Sequence, residues 1–181
     1  MERQYWSCTK KRHKTCTGMC WFKKKRGRNN EPLNIAVLRY EVKQEVLEQL
    51  RAYAQHEGNE QCGVLTGSKI NDKTYRISKV SPPCVTNNTR CRCERDAKKA
   101  NEFIKNDYER SSHTRTYMGE WHTHPEPCPH PSWTDFSSII SNFKESTLDY
   151  PFLIMAIVGT ESLYFSVYEG QNFNTIEPIE V

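Results

Sequence analysis

The sequence has no long apolar run. Its longest, Phe152 to Val158, is far shorter than the ~20 residues needed to cross a bilayer, and the mean hydropathy is −0.83. No membrane span is expected. No apolar segment follows the basic N-terminus, so a secretory signal is not expected either. These two absences point to a soluble cytoplasmic protein. No internal repeat is visible, which excludes a stacked-repeat architecture. Acids are nearly missing from the start of the chain. Residues 1–28 hold ten Lys/Arg and one acid, a net of +9, whereas residues 29–181 hold sixteen Lys/Arg and twenty-one acids, a net of −5. The overall charge of +4 hides that segregation.

Eight cysteines are present. A chain of 181 residues can build a core without bridges, and a reducing compartment does not sustain them. The cysteines therefore read as free thiols or metal ligands. Residues 1–30 form a Cys-containing basic leader with neither helical nor strand periodicity, and residues 31–181 form one folded domain. Like-charge blocks of the leader's kind stay disordered and contact acidic partners. The leader reads as a flexible tail, or as residues added by an early start codon. Its charge alone implies weak attraction to nucleic acid. Cys8, His13, Cys16 and Cys20 could hold a structural zinc, but their spacing matches no short C-x-x-C template.

In the body, Ile35 to Tyr40 reads as a strand and Glu41 to His56 as an amphipathic helix, with Gly58 as its stop. Cys62 to Gly67 is a short buried strand, and Thr74 to Val80 another. Residues 84–93 read as a long irregular loop near the working face. Within it Cys91 and Cys93 read as ordinary thiols, with metal binding as the alternative. Glu94 to Ser112 is a second helix, with Ala97, Ala100, Phe103, Ile104, Asp107 and Tyr108 giving its apolar side. Arg115 to Thr123 is a strand, and Asp135 to Phe143 begins a third helix. Phe152 to Val158 and Leu163 to Tyr168 are a strand pair, and Thr175 to Ile179 closes the sheet. The class is α+β or α/β: a mixed sheet with about three helices.

The chemistry concentrates between Gly119 and Asp135. Side chains two apart on a strand face the same way, about 7 Å apart at the backbone, so His122 and His124 can converge on one cation. Pro125 stops strand pairing. Ser132-Trp133-Thr134-Asp135 has the form of a capping box that opens a helix and holds Asp135 in its first turn. His122, His124 and Asp135 make a ligand set suited to Zn²⁺ that leaves a fourth position for water. Ordinary surface histidines at a turn are the competing reading, and the paired spacing with the helix-start aspartate weighs against it. Glu120 also shares the histidine face. It sits beside the site rather than over an open coordination position. Cys128 and His130 lie in the proline turn and are read as rim residues.

His122-Thr123-His124-Pro125, with Ser132 and Asp135 following, resembles the JAMM signature of JAB/MPN-domain metalloproteases. Glu60-Gln61-Cys62-Gly63-Val64-Leu65-Thr66-Gly67 is similar to that family's upstream Glu-x-x-Gly-x-Leu-x-Gly segment. The resemblance covers about residues 33–170 and implies an MPN/JAB-like (cytidine-deaminase-like) fold. It implies zinc on His122, His124 and Asp135, Glu60 as general base and Ser132 as oxyanion donor. It implies cleavage after the C-terminal residue of a ubiquitin-like tail laid beside the sheet, with residues 68–73 and 84–93 at the groove. The wording around Gly119 to Glu126 and Pro131 to Asp135 resembles the JAB-type isopeptidases of CBASS anti-phage operons. Those act on a tail of the cyclic-nucleotide synthase (CD-NTase) joined to a target by an E1/E2-like partner. The alternatives are processing of another ubiquitin-like or sulfur-carrier protein, and a non-catalytic or nucleic-acid-associated MPN-domain role.

Overall fold

A computed structural model describes residues 38–181. The basic leader, its four candidate zinc ligands and the start of the expected first strand lie outside the described residues.

Ten strands and three helices follow among the described residues. They are β1 (Arg39–Val42), α1 (Gln44–Ala52), β2 (Cys62–Asn71), β3 (Thr74–Val80), β4 (Val85–Thr89), β5 (Arg92–Arg95), α2 (Ala97–Arg110), β6 (Thr116–Thr123), α3 (Trp133–Glu145), β7 (Leu153–Val158), β8 (Leu163–Tyr168), β9 (Phe173–Thr175) and β10 (Ile179–Glu180). Eight strands form one mixed sheet in the order β10-β1-β3-β2-β6-β7-β8-β9, and β4-β5 is a separate hairpin. The expected α+β class, a mixed sheet with three helices, is what the chain adopts.

Strand β7 shows why the sheet has helices on both faces. All six of its residues are buried. Ile154, Ala156 and Val158 pack into the cluster that includes Val46, Leu47 and Leu50 of α1. Leu153, Met155 and Ile157 pack into the cluster under Ile139 of α3. Period-two alternation along an unbroken apolar run thus feeds two cores at once. Strands β6 and β7 run parallel, so a crossover is required, and α3 supplies it. Helix α2 packs Ala100 on Val64 of β2 and is capped by Asp96, whose side chain accepts from the Lys98 and Lys99 N–H groups.

Several expectations are corrected. Strand β2 runs on to Asn71 instead of stopping at Gly67, because β3 turns back on it and pairs along its length. Residues 84–93 are mostly the β4–β5 hairpin and not a loop. The cysteines are not all free: Cys62 and Cys93 are joined by a disulfide that ties this hairpin to β2. Helix α3 begins at Trp133, two residues before Asp135. The expected apolar side of α2 carries the buried acid Asp107, paired with Arg115 and hydrogen-bonded by the Thr66 hydroxyl, while Ala97 and Tyr108 are exposed. The single closing strand expected at Thr175 to Ile179 is two strands on opposite edges of the sheet. β9 pairs β8, and β10 pairs β1. Only four residue steps separate Thr175 from Ile179, a reach of at most about 14 Å, so the sheet curls until its edges approach.

Candidate functional site

Strand β6 carries the histidines at the centre of the sheet. Its alternation turns Trp121 into the α1 core and His122 to the face of α2 and α3. The strand ends at Thr123, yet the His124 N–H still donates to the Val158 carbonyl at 2.9 Å. That bond extends the parallel pairing by one residue and keeps His124 in phase with His122. Their ring centroids are 4.9 Å apart. The turn beyond is fixed by Pro127, whose carbonyl accepts from the Glu161 and Ser162 N–H groups. Gly159 is required there, since a Cβ would strike Pro129 and the Glu126 and Pro127 carbonyls.

Asp135 returns to the histidines from the first turn of α3. The capping box is present in both directions: the Ser132 N–H donates to Asp135 Oδ2 at 2.6 Å, and the Asp135 N–H donates to Ser132 Oγ at 3.3 Å. Asp135 Oδ1 lies 3.4 Å from His122 Nε2, and Oδ2 lies 3.6 Å from His124 Nε2. Burial would raise this carboxyl. The His122 ring and Ser132 outweigh it and hold Asp135 well below the usual carboxylate range.

Glu60 arrives from the other side, just before β2. Its N–H donates to the Thr89 carbonyl at 2.9 Å, and Asn88 Nδ2 donates to its carbonyl at 2.6 Å. On the β6 side, the Gln61 N–H donates to Thr123 Oγ1 at 2.9 Å, and that hydroxyl donates to Gln55 Oε1. One ligand atom each from Glu60, His122 and His124 lie within 4.8 Å of one another. Burial raises the Glu60 carboxyl to about 7, against the opposing pull of His122. Two carboxylates therefore meet the histidines in different states: Asp135 held ionised, and Glu60 poised to bind or release a proton near neutrality.

The donor set fits a cation. His122 Nε2, the nitrogen that faces Asp135, is buried without a hydrogen-bond partner, a state that is costly unless something else binds it. Burial and His122 lower the His124 pKa, which favours the neutral imidazole a metal needs. Glu60 and Asp135 both approach the histidines. Asp135 places one carboxylate oxygen near each ring, and Glu60 shares the compact ligand-atom group with both histidines.

The groups line a cleft of about 880 Å³ that also includes Ser132, Arg95 and Glu120. Of the segment 84–93 expected at the groove, Cys91, Arg92 and Cys93 line it, followed by Glu94 and Arg95, whereas no residue of 68–73 does. Cys128 and His130 are exposed and outside the lining; His130 Nδ1 meets the Cys128 carbonyl instead. Glu120 is not aimed at the histidines. Its Oε1 accepts from Tyr117 Oη at 2.7 Å and meets Arg95 Nε at 3.0 Å. Tyr117 reaches it because β6 bulges at Met118, two residues opposing one of β2. Burial pushes the Glu120 carboxyl up, against Arg95 and Tyr117.

The chain is similar in sequence and in fold to known proteins. The family described as prokaryotic homologs of the JAB domain matches residues 43–170. The chain belongs to that family. A Vibrio cholerae serotype O1 protein named CD-NTase/cGAS isopeptidase is 29% identical over 137 residues, covering 75% of this chain and 85% of that one. An Escherichia coli (strain TW11681) protein of the same name is 29% identical over 126 residues, covering 68% and 78%. The solution structure of protein DSY2949 from Desulfitobacterium hafniense matches with a TM-score of 0.57 at 18% identity, covering 78% of this chain and 92% of that one. This last likeness concerns the fold. For the JAB-domain chain described here, the matched span contains every residue of the cleft set.

Thr123, Gln55 and Asn88 were not singled out from the sequence. Asn88 is 28 residues from Glu60 and bonds its carbonyl. No short motif links the two positions, and only pairing partners across the hairpin could have drawn attention to it.

Proposed function

We propose that this chain is a zinc-dependent isopeptidase. It hydrolyses the amide bond after the C-terminal residue of a CD-NTase or ubiquitin-like tail and releases that tail from its target in a bacterial anti-phage (CBASS) system. The observation that carries the reading is the convergence of Glu60, His122, His124 and Asp135 from two separate segments on one cleft. The printed names of the Vibrio and Escherichia relatives support the substrate class.

His122, His124 and Asp135 would hold the zinc. When bound, zinc supplies Lewis acidity toward water and the scissile carbonyl. Glu60 accepts the proton of the attacking water and returns it to the departing amine nitrogen. Burial raises its pKa to about 7, which suits both halves of that task. Ser132 Oγ already accepts from the Asp135 N–H, so its hydrogen stays free to donate to a carbonyl oxygen gaining charge. The tail lies extended along the β4–β5 hairpin, held by main-chain hydrogen bonds. An E1/E2-like conjugation system would supply the joined substrate.

The test is direct. Purified protein is assayed for zinc and for cleavage of a CD-NTase C-terminal fusion. Glu60→Ala keeps the metal and loses turnover by about a thousandfold. Full activity in that variant sinks the assignment of the base. Paired His122→Ala and His124→Ala substitutions abolish zinc retention, and unchanged zinc content sinks the metal site.

A further inference from the structure

The hairpin that lines the cleft is also the support of Glu60. It holds the Glu60 backbone on both sides, through the Thr89 carbonyl and the Asn88 amide, and Gln55 Nε2 donates to the Arg90 carbonyl in its turn at 2.9 Å. Hydrogen bonds of this kind are individually weak in net terms and open readily in a two-stranded hairpin, which is marginal on its own. One covalent link secures it: Cys93 of β5 to Cys62 of β2. Cys62 lies two residues after Glu60 and pairs with His122 across the strands. Both cysteines line the cleft; Cys62 is buried, whereas Cys93 is half-exposed and the more accessible of the two.

We infer that the Cys62–Cys93 disulfide is a redox-sensitive staple that positions Glu60 for catalysis. The inference rests on the isopeptidase reading. Both cysteines are positioning residues, acting through the hairpin. A dithiol of the thioredoxin class opens the staple. Its thiolate attacks Cys93 Sγ, the S–S bond breaks, and Cys62 leaves as a thiolate that takes a proton. The second thiol of the reductant then displaces Cys93 as a thiol. The reductant is oxidised to its own disulfide, and two electrons pass to the enzyme. Where thiol reductants are abundant, disulfides are commonly transient and redox-sensing, and attack occurs at the accessible sulfur. The open form retains the His122, His124 and Asp135 set, because none of these is attached to the hairpin.

The experiment uses the full chain loaded with zinc. Mass spectrometry under alkylation should find Cys62 and Cys93 joined. Treatment with a trialkylphosphine, or with reduced thioredoxin, should lower kcat about tenfold, leave KM within about twofold and leave zinc content unchanged. Amide exchange at Glu60 should rise in parallel. A Cys62→Ser, Cys93→Ser double variant should match the reduced enzyme and no longer respond to reductant. Cys128→Ser should behave as the unmodified chain. Free thiols at both positions, an unchanged kcat after reduction, or a loss of kcat explained by loss of zinc would each overturn the staple. Treating the unmodified enzyme keeps the test decisive if the double variant does not fold. Activity retained by Glu60→Ala would instead overturn the isopeptidase mechanism, whatever the cysteines do.

Discussion

Thr123 shows how a residue between two candidate ligands can serve the opposite face. It is fully buried, and its hydroxyl accepts from Gln61 and donates to Gln55. The strand that carries the histidines is thereby bonded to the residue after Glu60. Thr123→Val keeps the shape and removes the hydroxyl. It leaves the Gln61 N–H unpaired, at a cost of about 1–3 kcal/mol. The expected result is a lower melting temperature and a several-fold drop in turnover with zinc retained, measured by thermal denaturation and steady-state kinetics. An unchanged kcat would show that Glu60 does not depend on this bond. At this scale the candidate ligands were legible because strand alternation and a capping box are local rules. Glu120 was legible only in part. Alternation put it on the correct face, but its partners come from the Met118 bulge and from β5, which no spacing rule reports.

Among the elements, α2 depends on one buried charge. Asp107 accepts from the Arg115 guanidinium, with Nε at 2.9 Å, and from Thr66 of β2. Burial would raise its carboxyl; the bonds from Arg115 and Thr66 outweigh this and hold it below its ordinary value of 3.8. The folded pKa is thus depressed relative to the unfolded chain. The stabilisation is fully present above the unfolded value and is lost as pH falls through the folded one. Asp107→Asn is expected to destabilise the protein by about 2 kcal/mol at pH 7, since it removes charged hydrogen bonds to Arg115. Denaturant unfolding at pH 7 and pH 3 checks this: the gap between the two proteins should shrink in acid. A gap that stays constant would remove charge pairing as its cause. The helices and the long strands could be read from periodicity. The β4–β5 hairpin could not, because its residues are polar and mostly exposed and carry no apolar alternation. The bridge to Cys62 was missed for a related reason: compartment argues about cysteines in general, while pairing depends on the 6.2 Å Cα separation the fold creates.

For the whole molecule, the curled sheet is the feature with the widest reach. Tyr40 of β1, Phe165 and Val167 of β8 and Ile176 share one core cluster, although β1 and β8 are far apart in strand order. The segment 176–181 crosses from one edge to the other and donates the Val181 N–H to the Val42 carbonyl at 3.0 Å. Removing residues 176–181 should lower stability by about 2 kcal/mol, from the lost edge bonds, and raise amide exchange in β1 first. Hydrogen exchange and denaturant unfolding measure both. An unaltered β1 exchange pattern would show that the crossing segment carries no weight. Open sheets with long free edges recruit other chains. Here β10 covers one edge, and the other ends in β9, three residues long with Asn174 and Thr175 exposed. The same four-step crossing that completes the sheet therefore also leaves only short strands at its edges among the described residues. The truncated chain, with β1 uncovered, is the form expected to grow in light scattering at concentrations where the intact chain does not.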